Sequence, residues 1–437
     1  MKTRSIGIGL MGLGVVAGQV ARVLLNDNKM QILSEAAGRP IVLRKIKVVE
    51  SDLSRPMVKE IDSQLITVDE NEFFDTSEID IVVEAIGGEY PPFKYLKRAL
   101  AAGKHVVTSN KEVIAKHGVE LWALAKKNKV GLHYEASAGG GIPLIVLLQQ
   151  DLVANQIQSI HAIINGTTNY IISRMATEGV DFSNALKTAQ ELGYAESNPR
   201  NDVDGIDATY KLAIIASLAF RCEVRPEDIY CEGITKLSNR DFQYARELGF
   251  SVKLLAIGRQ EKGSIGVRVH PVFIPEDALL AKVDGVFNAI QVEGDLVGKL
   301  LFYGQGAGAL PTSSAVVSDI VSAAKDVVCG IGASFNWKLE PGKTIRPMSE
   351  LETRYYLRME IADKPGVLAQ ISQELGNNLI SIFSVIQKEA NILTNTAEIV
   401  IMTHPAKELS MQKALFNLKR LPAVKQINNF VRVEYIE

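Results

Sequence analysis

Short apolar runs alternate with helix-spaced stretches through the first 130 residues. Residues 5–10 (SIGIGL) predict a buried strand, Gly12 to Gly18 a glycine-rich turn, and Val15 to Leu25 a helix. Ile46 to Val49 and Ile79 to Ala85 predict the next strands, the latter followed by Gly87-Gly88. Phe93 to Ala102 is spaced as a helix, His105 to Thr108 as a strand, and Lys111 to Lys127 as a helix. This alternation predicts a parallel sheet covered on both faces.

The texture changes from Gly131. Gly139-Gly140-Gly141 and Pro143 interrupt the chain, helical spacing then dominates (Asn184 to Leu192, Ala208 to Phe220), and residues 250–303 again read as strands. A polar stretch at 333–352 reads as a linker. Arg354 to Ile361, Val367 to Leu375, Ile380 to Ile386, Glu398 to Met402, Leu409 to Leu421 and Phe430 to Tyr435 then follow in βαββαβ order, that of a ferredoxin-like module. The expected fold class is α/β. A doubly wound, Rossmann-type domain spans 1–133 and is completed by about 305–332. An α+β domain spans 134–304, and the C-terminal module 353–437.

A chain of 437 residues is long enough for two or three domains. Its 48 basic and 50 acidic residues leave a net charge of −2, which argues against nucleic acid as a partner. Three scattered cysteines, Cys222, Cys231 and Cys329, make no disulfide framework and suit a reducing compartment. The N-terminus lacks the pattern of a signal peptide, and no apolar run reaches the length of a membrane span. A cytoplasmic protein with no membrane partner is therefore expected.

Gly12-Leu13-Gly14-Val15-Val16-Ala17 is G-x-G-x-x-A between a predicted strand and helix. Gly12 permits the tight turn, Gly14 lets the backbone approach a pyrophosphate, and Ala17 lets the helix pack on the sheet. The helix N-terminus offers N–H groups and partial positive charge to phosphates. Glu50, just past the second strand, suits a ribose 2′-OH and thus NAD, although it lies farther from Gly14 than the usual spacing. Ser51 or Arg55 suits a 2′-phosphate, and NAD versus NADP stays open.

An acid-rich stretch runs from Ala189 to Lys211 (AQELGYAESNPRNDVDGIDATYK). Asp207 and Lys211 are spaced i, i+4 and share a helix face. Glu196 and Asp202 precede them. Spacing alone equally describes a solvated loop with an exposed ion pair. The segment after Lys211, LAIIASLAF, is apolar nearly all round, as in a buried helix. A lysine at its start therefore faces a pocket or an interface. Carboxylates around an ammonium bind a zwitterionic substrate and tune a lysine for proton transfer.

These residues resemble the homoserine dehydrogenase family, whose long pattern is met at Ala189, Gly193, Tyr194, Ala195, Asn198, Pro199, Asp202, Val203, Gly205, Asp207 and Lys211. The resemblance extends over the whole chain, through GLMGLG at the start, VEAIGG at 83–88, TSNK at 108–111, YEASAGGGIP at 134–143, INGTTNYI at 164–171 and GQGAGALPT at 304–312. It implies reduction of L-aspartate 4-semialdehyde to L-homoserine by NAD(P)H, in threonine, methionine and isoleucine biosynthesis. By the same resemblance Lys211 donates the proton, Asp207 orients it and binds substrate, and Lys111 steadies alkoxide charge. Glu196 holds the substrate amino group, with Gly193 and Asp202 beside it. The cofactor falls to Gly12, Leu13, Gly14, Val15, Val16, Glu50, Gly87, Thr108, Ser109, Lys111, Gly193 and Gly308.

The resemblance further implies a sodium ion at Glu135 and the carbonyls of Ala138, Gly140 and Ile142. Without it these residues read as a turn before a helix starting near Pro143. It implies a C-terminal ACT domain that pairs side by side and binds an amino-acid effector, threonine first, at the Asp363-Lys364-Pro365-Gly366 turn. A homodimer or homotetramer follows. Three departures bear on the cofactor: Val15 stands where relatives carry a hydroxyl, Ala17 where they carry a glycine, and many relatives carry an arginine near Ser51. His105, His133 and Tyr134 read as packing residues, and neither Cys222 nor Cys231 has the setting of a thiol-ester nucleophile. A rival reading, a non-enzymatic NAD(P) sensor, would keep the glycine turn without needing Lys111, Glu196, Asp207 and Lys211 together.

Overall fold

The computed structural model describes residues 4–261, 263–332, 339–340, 342–391 and 393–436. They form two compact units. The first comprises Met1–Ile157, Tyr210–Glu227 and Glu293–Pro341, and the second Gln158–Thr209, Asp228–Val292 and Gly342–Glu437. Residues 134–157, 210–227 and 293–304 of the expected middle domain group with the N-terminal sheet, and the C-terminal module groups with the middle of the chain.

The first unit is built on strands β1 (Ile6–Met11), β2 (Ile41–Lys47), β3 (Ile66–Thr67), β4 (Ile81–Glu84), β5 (His105–Thr108) and β6 (Leu132–His133). They form one parallel sheet in the order β3-β2-β1-β4-β5-β6. That is the doubly wound order whose ligands bind outside the strands' C-terminal ends. Every residue of β1 is buried because helices cover both faces. Ile8, Leu10, Ile46, Val83 and Val107 pack with Val20 and Ala21 of helix Val15–Leu24. Val316, Ile320 and Ala323 of helix Ala309–Cys329 join the same core, so the chain returns to this sheet late in its course.

Two features of this unit were not anticipated. Helix Asp27–Ala37 follows at once, because Asn26 caps it by accepting the Lys29 N–H at 3.0 Å and Gly38 ends it at φ 80°. Its apolar stripe is narrow, Met30, Leu33 and Ala37, and of these only Ala37 is fully buried. The second strand starts at Ile41 rather than Ile46, since Arg44 and Lys45 interrupt its apolar pattern without ending the ladder.

The remaining strands are β7 (Ile157–Ile163), β8 (Tyr230–Cys231), β9 (Phe250–Glu261), β10 (Ser264–Pro275), β11 (Phe287–Gly294), β12 (Gly298–Gln305), β13 (Thr344–Ile345), β14 (Glu352–Ala362), β15 (Ile382–Asn391), β16 (Thr396–Thr403), β17 (Ala406–Lys407) and β18 (Val424–Val433). In the second unit they run in the order β11-β7-β9-β10-β18-β14-β16-β15. One edge of the long strand β10 is covered piecewise by parallel partners. Ser264 lies opposite Thr344, Arg268 opposite Tyr230, and Val272 opposite Arg432.

Helices Val367–Asn377 and Glu408–Leu418 pack on β14, β16 and β18 through Ile371, Leu375, Met411 and Leu418. Of the expected linker, residues 333–338 and 341 lie outside the described residues. Thr344–Ile345 is not free chain but β13, a correction that follows from two β-branched residues finding an open ladder. No described helix is long and apolar enough to cross a membrane.

Candidate active site

The glycine turn begins where β1 ends. Gly12 has φ +91°, a conformation that L side chains rarely adopt, and its N–H donates to Lys47 O at 2.9 Å. Gly14 heads helix Val15–Leu24, which no side chain caps. No atom lies within 4 Å of the point where a Gly14 Cβ would stand, whereas a Cβ on Gly12 would meet Ile86 at 3.1 Å. The turn is thus closed toward β4 and open above Gly14, which fits a pyrophosphate against bare helix N–H groups. Leu13 is buried and Val15 exposed, so Leu13 offers a ligand only its backbone. Glu50 begins a short 3₁₀ turn beyond β2 and is exposed, and Arg55 is held by Asp52 at 2.9 Å.

Two further turns leave the same edge of the sheet. After β4 come Gly87 and Gly88; β5 ends at Thr108 and is followed by Ser109 and Asn110, the cap of helix Lys111–Asn128. Lys111 is the first residue of that helix. Helix Ile206–Ala219 carries both Asp207 and Lys211, one turn apart and both buried. Within the first unit, Tyr210 Oη lies 3.5 Å from Glu112 Oε1, and Lys116 Nζ stands 5.6 Å from the Tyr210 ring centroid. The neighbours in sequence of Lys111 and Lys211 are therefore in contact.

The carboxylates are gathered in the second unit by a residue that sequence reasoning missed. Asn165 Nδ2 donates to Asp202 Oδ1 at 2.7 Å and to Asp207 Oδ2 at 2.9 Å. Its Oδ1 accepts the Thr168 N–H at 2.8 Å, capping helix Gly166–Glu178. The signal lay in INGTTNYI, where Asn before Gly-Thr-Thr is a helix start. Glu196 and Gly193 are not hydrogen-bonded to this group. Both are exposed, on a turn where Gly193 has φ +75° and Gln190 Nε2 holds Glu196 O at 3.0 Å.

Around the proposed cation loop, the Glu135 carboxylate accepts the N–H groups of Leu144, Ile145 and Val146, the last two at 2.8 Å. It acts as the anion at a helix start that leads into the π-turn Leu147–Asp151. The Glu135 carboxylate is thereby engaged by three backbone donors. Gly141 N–H donates to Gln305 O at 3.1 Å, which brings the loop beside the stretch leading to Gly308, the start of helix Ala309–Cys329. Asp319 of that helix accepts the Glu135 N–H at 2.8 Å. Burial pushes the Asp319 carboxyl up to about 7, with His133 opposing and Glu135 adding to the shift.

Among the described residues, His105, His133 and Asp326 have metal-ligand spacing. His105 Nδ1 accepts the Gly131 N–H at 3.0 Å and His133 Nε2 meets Asp326 at 3.1 Å, so these groups tie β5 and β6 to helix Ala309–Cys329.

A doubly wound sheet with an uncapped glycine turn at its C-terminal edge is the frame of an NAD(P)-dependent oxidoreductase. The homoserine dehydrogenase family description matches residues 143–321, and that family's NAD-binding domain matches residues 12–135. A homoserine dehydrogenase of Neisseria gonorrhoeae is 42% identical over 437 residues, covering 99% of both chains. The crystal structure of a homoserine dehydrogenase from Thiobacillus denitrificans superposes with TM-score 0.92 at 39% identity, over 99% of this chain and 98% of that one. A hyperthermophilic archaeal homoserine dehydrogenase in complex with NADPH gives TM-score 0.61 at 28% identity, over 73% of this chain and 97% of its own. The chain belongs to the homoserine dehydrogenase family.

Proposed function

We propose that Lys211 is the proton donor in the reversible reduction of L-aspartate 4-semialdehyde to L-homoserine. The observation that carries this is the Asn165 clamp on Asp202 and Asp207, one helical turn before the buried Lys211. Bound NAD(P)H supplies a hydride to the aldehyde carbon. Lys211 gives its proton to the oxygen as that oxygen gains charge, and in reverse takes the proton of the hydroxyl. Asp207 orients the ammonium and, with Asp202, Glu196 and the Gly193 backbone, receives the amino-acid end of the substrate. Lys111, heading a helix, adds positive charge near the developing alkoxide. Gly12, Leu13, Gly14, Val15 and Val16 hold the pyrophosphate. Glu50 is placed for the adenosine ribose, and Gly87, Thr108, Ser109 and Gly308 for the nicotinamide end.

Purified protein given homoserine and NAD(P)+ should produce a rise in reduced-cofactor absorbance. Lys211→Ala should lower turnover roughly 10²–10⁴-fold while NAD(P)H still binds. Near-wild-type turnover in that variant removes Lys211 from the chemistry.

The C-terminal strands, paired β18-β14-β16-β15 with two helices on one face, support reading residues 353–437 as a ferredoxin-like ACT domain. In this reading threonine binds near Gly366, and modules pair through β15, the outermost strand, whose Phe383 and Val385 are exposed. Exposed Leu301 and Tyr303 on β12 supply a second apolar face for a homodimer or homotetramer. Sodium takes the carbonyls of Glu135, Ala138, Gly140 and Ile142. The exposed Glu50, with Arg55 committed to Asp52, supports use of NAD at least alongside NADP. Three free cysteines suit the cytoplasm. Titrating both cofactors with and without threonine, and with sodium replaced by a larger cation, separates these assignments.

A further inference from the structure

Glu84 ends β4 and is completely buried. In sequence it looks like the close of an apolar strand, IDIVVEA. Its Oε1 accepts the Ile86 N–H at 2.6 Å, and its Oε2 lies 2.5 Å from Thr108 Oγ1. Thr108 Oγ1 accepts the Asn110 N–H at 3.0 Å. Asn110 Nδ2 reaches back to Ile86 O at 3.0 Å and Gly88 O at 2.8 Å, while its Oδ1 takes the Val113 N–H at 3.1 Å. The hydrogen bonds close a ring through Glu84, Thr108, Asn110 and Ile86. That ring ties the turn after β4 to the turn after β5 and to the first turn of the helix headed by Lys111.

We infer that Glu84 is a positioning residue for the dehydrogenase reaction, its carboxyl bracing the two turns so that the nicotinamide end of the cofactor and Lys111 are held in register. The inference rests on the placement of Lys111, Gly87, Thr108 and Ser109 proposed above. A buried carboxyl is costly where an aliphatic residue would fill a strand end, and hydrogen bonding offsets that cost. The groups acting on its charge are, after burial itself, Thr108, Ile86 and Asn110, none of them ionisable, and burial pushes the carboxyl up to about 7. The ring survives either protonation state. Ionised, Glu84 accepts from the Thr108 hydroxyl; neutral, it donates to it, since a hydroxyl turns to suit. Glutamine reproduces the neutral form, with Nε2 donating to Thr108 and Oε1 accepting from Ile86.

Glu84→Ala should therefore lower kcat/KM for the cofactor by about 10²-fold, the scale of a 1 Å misplacement. The KM for homoserine should change little. NADPH binding, followed by the fluorescence of the reduced nicotinamide, should weaken in parallel, and Glu84→Gln should recover most of the loss. Thr108→Val cuts the ring from the other side, and the double variant Glu84→Ala/Thr108→Val should be little worse than either single one. If Glu84→Ala does not fold, Thr108→Val against Glu84→Gln carries the same comparison. Wild-type cofactor kinetics and binding in both Glu84→Ala and Thr108→Val would overturn the inference, as would a Glu84→Gln no better than Glu84→Ala. An unmutated protein that binds NADPH but does not oxidise homoserine would instead sink the reading of the site, and the fluorescence titration would still test the brace.

Discussion

Strand β1 sets Ile6, Ile8 and Leu10, alternate residues on one face, in an apolar core with helices Val15–Leu24 and Ala309–Cys329, carbon against carbon. Strand β18 of the second unit carries Arg432 at 1% exposure and is followed at once by buried Glu434. Arg432 pairs with Glu408 at 2.6 Å and Glu232 at 3.0 Å, and Arg268 holds Glu434 at 2.7 Å. Nearby, Arg358 meets the fully buried Asp241 at 2.9 Å, with Tyr356 and Asn429 donating to the same carboxylate. Apolar packing tolerates small changes of shape. An ionic seam tolerates the loss of neither partner, because the one left behind is a buried, unpaired charge. The second unit adds to its apolar core a seam that holds by matching.

The largest effect expected from this contrast is at the seam. Arg432→Ala should cost about 3–5 kcal/mol, read as a shift of the urea midpoint. A cost near that of a surface substitution would mean the seam is not holding the unit.

The pH dependence of the two regions should have opposite sign. In the first unit the Glu84 and Asp319 carboxyls are both raised to about 7. Their stabilisation is full below the ordinary carboxylate range and is lost as pH rises through about 7. At about 1.4 kcal/mol per unit, Glu84 alone contributes roughly 3 kcal/mol to that slope. Glu84→Gln should flatten this limb when stability is measured between pH 5 and 8. In the second unit burial would raise the Glu434 carboxyl, but Arg268, His161 and Arg259 hold it well below its ordinary value. Buried His270 stays neutral far below the usual imidazole range, through burial first and then Arg432 and Arg268. Their contributions are lost as pH falls, so acid should open the second unit first. Hydrogen exchange at pH 4 that opens the first unit earlier would contradict this.

The smallest effect should come from trimming the apolar sheet. Ile8→Val, a lost methylene at a fully buried position, should cost about 0.5–1.5 kcal/mol and leave cofactor binding unchanged. A loss as large as that of Arg432→Ala would erase the distinction between the two kinds of fastening.

What the chain disclosed in advance follows the same line. The parallel sheet was legible because β1, β4 and β5 are apolar runs with little else to be, and the glycine turn because Gly12 needs its left-handed backbone. The seam was not legible. In FVRVEY, Arg432 and Glu434 alternate with apolar residues as solvent-facing positions do, and only the pairing of β18 with β10 turns them inward. Glu84 was hidden for the opposite reason, as an acid inside an apolar run whose partners lie on another strand. Lys211 and Asp207 could be picked out by spacing, but Asn165, remote from both in sequence, could not be joined to them without coordinates.

The patched edge of β10 has a consequence for how the protein is made. Val272 and Phe273 leave the ribosome long before Arg432 and Val433, their neighbours in the ladder. Until the last strand is synthesised, that stretch of backbone offers unsatisfied N–H and C=O groups to any other nascent strand within reach. The second unit is therefore completed only once β18 has been made, and crowded polysomes are where its assembly is most exposed to error.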